Sequence, residues 1–204
     1  MNKIITISRE FGSGGKEIGK RLAEVLGYAY YDAEIIQLLA KETGMTEEYI
    51  ENISEKGCYP YAFQFAKSFA TYSTMQNSQT EILVVQSRIL KQIAEKGNCV
   101  IVGRGADIVL REYNPMKLFV YASLESKMKR CREKANETEE VTDKELEKKI
   151  KEIDKNRQKF YSIISNKEWG KKENYNICIN TTDIEIKKII PSLKLYIEDW
   201  FGGI

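Results

Sequence analysis

Gly12, Gly14 and Gly15, followed directly by Lys16, are the residues of this chain whose types and spacing most directly suggest chemistry. Glycines let the backbone turn several N–H groups toward one point, and a helix opening there aims the positive end of its dipole at the same point. Lys16 adds a full charge, so the stretch from Gly12 through Ser13 to Lys16 reads as a cradle for nucleotide phosphate. Against the pattern G-x-x-x-x-G-K-[ST], Gly15 and Lys16 match, while Glu10 replaces the first glycine and Glu17 the Ser or Thr. A carboxylate at position 17, beside bound phosphate, is tolerable beside a metal ion or if it faces away; the expectation is that Glu17 sits near Mg²⁺. The plain alternative for the whole stretch is a flexible Gly-Ser turn. Its surroundings favour the cradle: Ile4, Ile5 and Ile7 form an apolar strand-like run before it, and Ile18, Leu22, Val25 and Leu26 follow at helical spacing.

A cradle of this kind needs a strand behind it and a helix after it, and the rest of the chain continues that alternation. Strand-like runs occupy 3–8, 28–32, 99–103, 117–122 and 176–180. Helical stretches occupy 15–26, 33–43, 78–96, 124–135, 142–160 and 183–199. Capping boxes are expected at Ser78 with Glu81, Thr142 with Glu145, and Thr182 with Glu185. Near-continuous apolar strands separated by crossover-length helices predict an α/β fold whose parallel sheet is covered on both faces. Ligands of such sheets bind at the carboxyl ends of the strands. Those ends carry the cradle, Asp32, Gly103-Arg104-Gly105, and Ala122-Ser123 ahead of a helix with Arg130 and Arg132. The cations there suit two anionic groups. Asp32 reads equally well as the N-cap of helix 33–43, Arg104 as a salt-bridge partner, and Arg130 as a surface charge.

Composition narrows the classes. At 204 residues and 42% hydrophobic, the chain suffices for one domain burying about 70% of its unfolded surface. No apolar run approaches the roughly 20 residues of a bilayer span, and Met1 leads straight into the first strand, so a cytoplasmic protein is expected. Cys58, Cys99, Cys131 and Cys178 contain no C-x-x-C pair. Two of them lie in strand-like runs, which predicts small buried thiols over a disulfide frame. The absence of histidine disfavours a zinc site and a histidine base. Net charge is only +2, and residues 124–159 interleave twelve Lys/Arg with ten Asp/Glu, the pattern of a solvated helix with i,i+4 pairs and not of a nucleic-acid face.

Taken in order, these segments resemble the cytidylate kinase-like group of nucleoside monophosphate kinases. The resemblance runs from KIITISREFGSGGKEIGKRLAEVLGYAYYD through CVIVGRGAD and KLFVYAS to EIDKNRQKFY and NYNICINTTD, with the lid pattern D-x-x-R as Asp154 and Arg157. It implies a three-layer P-loop kinase fold in a single domain, 1–204, with a central five-stranded parallel sheet, an acceptor-side insert at 45–77 and a helical lid at 124–160. It further implies transfer of the γ-phosphoryl group of ATP, with Mg²⁺, to a small phosphorylated acceptor, taken first as a nucleoside monophosphate. By position, Gly12, Ser13, Gly14, Gly15, Lys16 and Glu17 would hold the donor and its metal, Asp32 and Arg104 the acceptor, and Lys16, Arg130, Asp154 and Arg157 the reacting phosphoryl group. Phosphoryl transfer asks for positioning and positive charge, so a site without histidine suits it.

The chain departs from the family at Glu17, at Gly105 where an acceptor-reading Asp is usual and Asp107 follows two residues on, and at Ile150 where a lid arginine would stand. The insert adds Tyr49, Tyr59, Tyr61, Phe63, Phe65, Phe69 and Tyr72; of these, Phe65, Phe69 and Tyr72 fall at helical spacing and read as a packing stripe or a homodimer contact. An inert nucleotide-binding regulatory module and a kinase of a non-nucleotide metabolite are the alternative readings. Neither nucleic acid nor a membrane is expected as a partner.

Overall fold

The computed structural model describes residues 2–54, 69–134 and 141–202, without the side chains of 51–54 and 69–79. Tyr59, Tyr61, Phe63, Phe65 and Cys58 lie outside the described residues, as do the side chains of Phe69 and Tyr72, so the reading of the aromatic stripe falls there too.

Among the described residues, five strands form one all-parallel sheet: β1 (Ile4–Arg9), β2 (Ala29–Tyr31), β3 (Cys99–Val102), β4 (Met116–Tyr121) and β5 (Ile177–Asn180). Their order is β2-β3-β1-β4-β5. The strands alternate between two apolar layers, as a period of two demands when both faces are covered. Ile4, Cys99 and Ile101 face α2 (Glu34–Thr43) and the long α4 (Phe69–Lys96), where Ile35, Leu39, Ile89 and Leu90 are buried. Ile5, Ile7, Val100 and Val102 face α1 (Gly15–Leu26) and α8 (Ile186–Gly202), against Ile18, Leu22, Ile190 and Ile197. The remaining helices are α3 (Glu47–Ser54), the short α5 (Ala106–Val109), α6 (Leu124–Lys134) and α7 (Asp143–Ile164). Strand order reverses beside β1, with β3 on one side and β4 on the other, and this opens a crevice outside the carboxyl end of β1.

Several local expectations need correction. Of the three capping boxes, that of Thr142 and Glu145 is complete, with both reciprocal bonds present. Ser78 lies inside α4, which begins at Phe69, because the helix continues back through residues with no breaker. Thr182 turns its hydroxyl onto Asn180 Oδ1 (2.7 Å) and accepts from Ser123 N (2.8 Å), so α8 opens later, at Ile186. Asp32 does not cap α2: Ala33 holds the cap position in right-handed helical conformation, with no side-chain cap. Cys99 is buried, but Cys178, on the edge strand β5, is exposed. Among the described residues no helix is long and apolar enough to cross a membrane.

Candidate functional site

The loop between β1 and α1 closes on itself. Ser13, fully buried, donates its Oγ hydrogen to Glu10 O (2.8 Å), and Thr181 Oγ1 reaches across from beyond β5 to donate to Ser13 O (2.7 Å). Gly12 and Gly14 have φ of 75° and 85°, in the left-handed region that favours glycine. At Gly12 a Cβ would also come within 2.9 Å of the Lys127 carbonyl oxygen. The N-terminus of α1 has no side-chain cap, which leaves the amides of its first turn for an anion.

Glu10, in the place of a glycine, is built into the support. Its Oε2 accepts from Lys127 Nζ (3.0 Å) and Ala122 N (3.3 Å). Lys127, only 8% exposed, also donates to Asp154 Oδ2 (2.8 Å), and Asp154 Oδ1 accepts from Phe11 N (2.7 Å). One clasp thereby ties α6, α7 and the loop together. Burial alone would lower the Lys127 pKa; the bonds and charges of Asp154 and Glu10 outweigh it and hold the pKa above the usual lysine value, so the ammonium stays charged. Three residues on, Arg157 Nη1 donates to Arg9 O (3.0 Å), with its guanidinium 5.8 Å from the Phe11 ring centroid.

At the end of β2, Asp32 is 8% exposed and pairs with Lys16 Nζ at 2.8 Å and Arg9 Nη2 at 3.9 Å. Lys16 is itself 70% exposed. Gly103, Arg104 and Gly105 all have positive φ (78°, 60° and 61°), and for Arg104 this costs about 1 kcal/mol or more. Buried Gln86 fixes the turn by donating its Nε2 hydrogen to Arg104 O (3.0 Å). Arg130 Nη2 donates to Thr181 O and to Ile184 O (3.2 Å). Among the described residues its buried Nη1 has no hydrogen-bond partner.

These elements enclose a cleft of about 530 Å³, lined by eight lysines and arginines against three carboxylates. Of the residues read from sequence, Gly12, Gly14, Gly15, Lys16, Glu17, Asp32, Arg104, Arg130 and Arg157 border it. Ser13 lies beneath the loop and Asp154 behind it, both holding its shape. The sequence reading missed Arg9, although it is the last residue of β1 and strand ends were the places to look. It also missed Lys127, one lysine among twelve cations in a mixed-charge stretch, which carries no signal of its own.

The loop and Arg130 fit a nucleotide's phosphates: uncapped helical amides, a lysine at the rim, and an unpartnered guanidinium nitrogen in the wall. For a metal the fit runs through the nucleotide. Among the described residues no three Asp, Glu or Cys side chains gather to hold an ion, so Mg²⁺ would be held chiefly by phosphate oxygens. The Glu17 carboxylate is taken by Arg21 Nε (3.0 Å) and Lys134 Nζ (3.3 Å). Burial pushes its pKa up, but these two cations more than offset that and leave it below the usual carboxylate value.

A parallel five-stranded sheet carrying this loop at the end of its central strand is the P-loop kinase fold. The chain belongs to the cytidylate kinase-like family, whose profile matches residues 4–183. Among solved structures it resembles an uncharacterized protein from Eubacterium ventriosum ATCC 27560, at 27% identity and TM-score 0.71, over 98% of this chain and 99% of that one. It also resembles the shikimate kinase from Bacteroides thetaiotaomicron, at 17% identity and TM-score 0.58, over 97% and 99% of the two chains. A gluconokinase from Sinorhizobium meliloti 1021 aligns at 14% identity and TM-score 0.55, over 98% and 93%. At these last two identities the likeness is one of fold. No curated protein matches the chain.

Proposed function

We propose that this protein transfers the γ-phosphoryl group of ATP to a small phosphorylated acceptor, with a nucleoside monophosphate as the first candidate. The observation that carries this reading is one strongly cationic cleft lined by the loop, Lys16 and Arg130 together with Asp32, Arg104 and Arg157. The loop amides and Lys16 would hold the donor phosphates, Arg104 and Asp32 the acceptor, and Arg157 would reach the group in transit. An acceptor oxygen attacks the γ-phosphorus as the bond to the β-phosphate oxygen breaks, and ADP leaves. Bound Mg²⁺ would neutralise charge on the donor phosphates; every remaining demand is one of position, which fixed arginines meet. α6 and α7 line one side of the cleft and would shield the donor from water that otherwise hydrolyses it.

A second reading, a kinase of a non-nucleotide metabolite, draws on Asp107. That residue is 3% exposed, accepts a hydrogen bond from Tyr161 Oη (2.9 Å) and does not border the cleft, so it does not stand in for the missing acceptor-reading carboxylate. The deciding experiment is ADP release from Mg-ATP in the presence of each nucleoside monophosphate, then of sugar and hydroxy-acid acceptors. Turnover with a monophosphate supports the first reading, turnover only with a metabolite supports the second, and none with any acceptor supports the inert module.

Two smaller effects test the donor side. Lys16 must leave Asp32 to reach phosphate, and a pair with one exposed partner is worth up to about 1 kcal/mol. Asp32→Asn should therefore tighten ATP binding by up to about fivefold in calorimetric titration while weakening the acceptor; ATP binding made weaker would place Asp32 on the donor. For Glu17 the proposal remains that it reaches the metal on nucleotide binding, giving up Arg21 and Lys134. Glu17→Gln should then raise the Mg²⁺ concentration needed for ATP binding, and an unmoved requirement leaves it a first-turn glutamate favoured by the helix dipole.

A further inference from the structure

Asp107 and Tyr161 form a buried pair outside the cleft: each is 3% exposed, and Tyr161 Oη donates to Asp107 Oδ2 at 2.9 Å. We propose that this pair is a positioning device, which pins the second half of α7 to the turn after β3 and thereby fixes where Arg157 stands at the cleft. The inference rests on the phosphoryl-transfer reading, in which Arg157 meets the group in transit.

The placement follows from helix geometry. Asp154, Arg157 and Tyr161 stand at i, i+3 and i+7 on α7 and so share one face. Each grips a different segment: Asp154 Oδ1 accepts from Phe11 N in the glycine loop, Arg157 Nη1 donates to Arg9 O at the end of β1, and Tyr161 donates to Asp107 beyond β3. Arg157 and Tyr161 also share the wall of a hollow of about 40 Å³ beside the cleft. From Asp154 to Tyr161 the helix rises about 10 Å. Held at Asp154 alone, α7 could pivot about that end; held at both ends of this span, it keeps the backbone of Arg157 in one place.

Packing brings α7 close, and the hydrogen bond chooses its register. At Gly105 a Cβ would meet Ile164 Cδ1 at 2.0 Å and Phe160 Cε1 at 3.5 Å, so α7 lies directly on the turn that leads into α5 and Asp107. Apolar contacts of this kind tolerate small shifts, whereas two buried polar groups are satisfied at one separation. A buried carboxylate is costly: burial pushes the Asp107 pKa above the usual carboxylate value, against the hydrogen bond from Tyr161 and the charges of Lys117 and Lys167. Leucine at 107 with phenylalanine at 161 would avoid that cost. What the polar pair adds is a single register of α7 on the sheet.

Tyr161→Phe keeps the ring and deletes the hydroxyl. Displacements near 1 Å at a reacting group cost about 10²-fold in rate, so kcat should fall about tenfold or more, with the Kd of ATP within about twofold because Asp154 still holds the loop. Asp107→Asn retains an oxygen that accepts from Tyr161 and should keep kcat within about threefold of the parent. Arg157→Ala supplies the readout that a merely structural pair would not move: added to it, Tyr161→Phe should cost no further kcat, since the pair acts through the missing guanidinium. Losses that multiply, or a Tyr161→Phe protein that melts lower with kcat unchanged, overturn the proposal. Hydrogen–deuterium exchange reads the same pair without turnover. Amides of 158–164 should exchange about tenfold faster in Tyr161→Phe and near the parent's rate in Asp107→Asn, with those of α1 unchanged. Unchanged exchange in 158–164, or an equal rise in α1, overturns the proposal and leaves the kinase reading untouched. If no acceptor is turned over, the kinase reading falls alone where exchange in 158–164 still rises, and the pin falls with it where exchange does not.

Discussion

Replacing Arg157 by alanine should lower kcat by about 10³-fold or more while leaving the Kd of ATP within a few-fold. Arginines that meet the transferring phosphoryl group act on charge that develops in the transition state, and in phosphoryl transfer they are worth 10³ to 10⁵ in rate. Arg157 is held at the cleft by its helix. Asp154, one turn earlier on α7, grips Phe11 N at 2.7 Å, so the register of α7 on the loop is set by the protein's own contacts. Arg157 then lines both the cleft and the hollow beside it. Arg157→Lys should recover only part of the rate, because the ammonium keeps the charge and loses the planar fork. Single-turnover kinetics with saturating ATP separates the cases. A loss below about tenfold, roughly 1.4 kcal/mol of barrier, would leave Arg157 a structural tie to Arg9 O and nothing more.

The fold was legible in the sequence because its signals are local and redundant. Ile4, Ile5 and Ile7 read as a strand and are buried on both faces, and Thr142 with Glu145 announced α7 within a residue of its start. The glycine loop between β1 and α1 was legible for the same reason, since its glycines and lysine are contiguous. What could not be read is what arises from contacts distant in sequence. Glu10 looked like a defect in the loop pattern, yet it is one arm of a clasp whose other members are 117 and 144 residues further on. Asp32 had a local explanation as a helix cap, and a tertiary pairing with Lys16 and Arg9 took its place. Arg104 gave its type away but not its left-handed backbone, which depends on Gln86 arriving from α4.

That clasp carries the largest expected change in stability. Lys127→Met keeps the apolar stem and removes the ammonium, leaving the carboxylates of Glu10 and Asp154 facing each other without the cation they share. Breaking a buried ion pair by deleting one partner costs about 3–5 kcal/mol. At about 2–4 °C per kcal/mol for a chain of this size, Tm should fall by roughly 6–20 °C. The pH dependence has a definite sign. Because the folded-state pKa of Lys127 lies above the usual lysine value, the clasp's contribution is fully present below that value and is lost only as pH rises through the folded pKa. The Tm difference between parent and variant should accordingly stay flat from pH 6 to 9 and shrink at stronger alkali. ATP binding should weaken as well, since Asp154 would hold Phe11 N less firmly. The triple change Glu10→Gln, Lys127→Met, Asp154→Asn removes all three charges together and should regain much of the lost Tm without regaining the ATP affinity. A Lys127→Met protein that melts with the parent and binds ATP equally well would show that the loop is held by its own glycines and Ser13, and that α7 docks on it without the clasp.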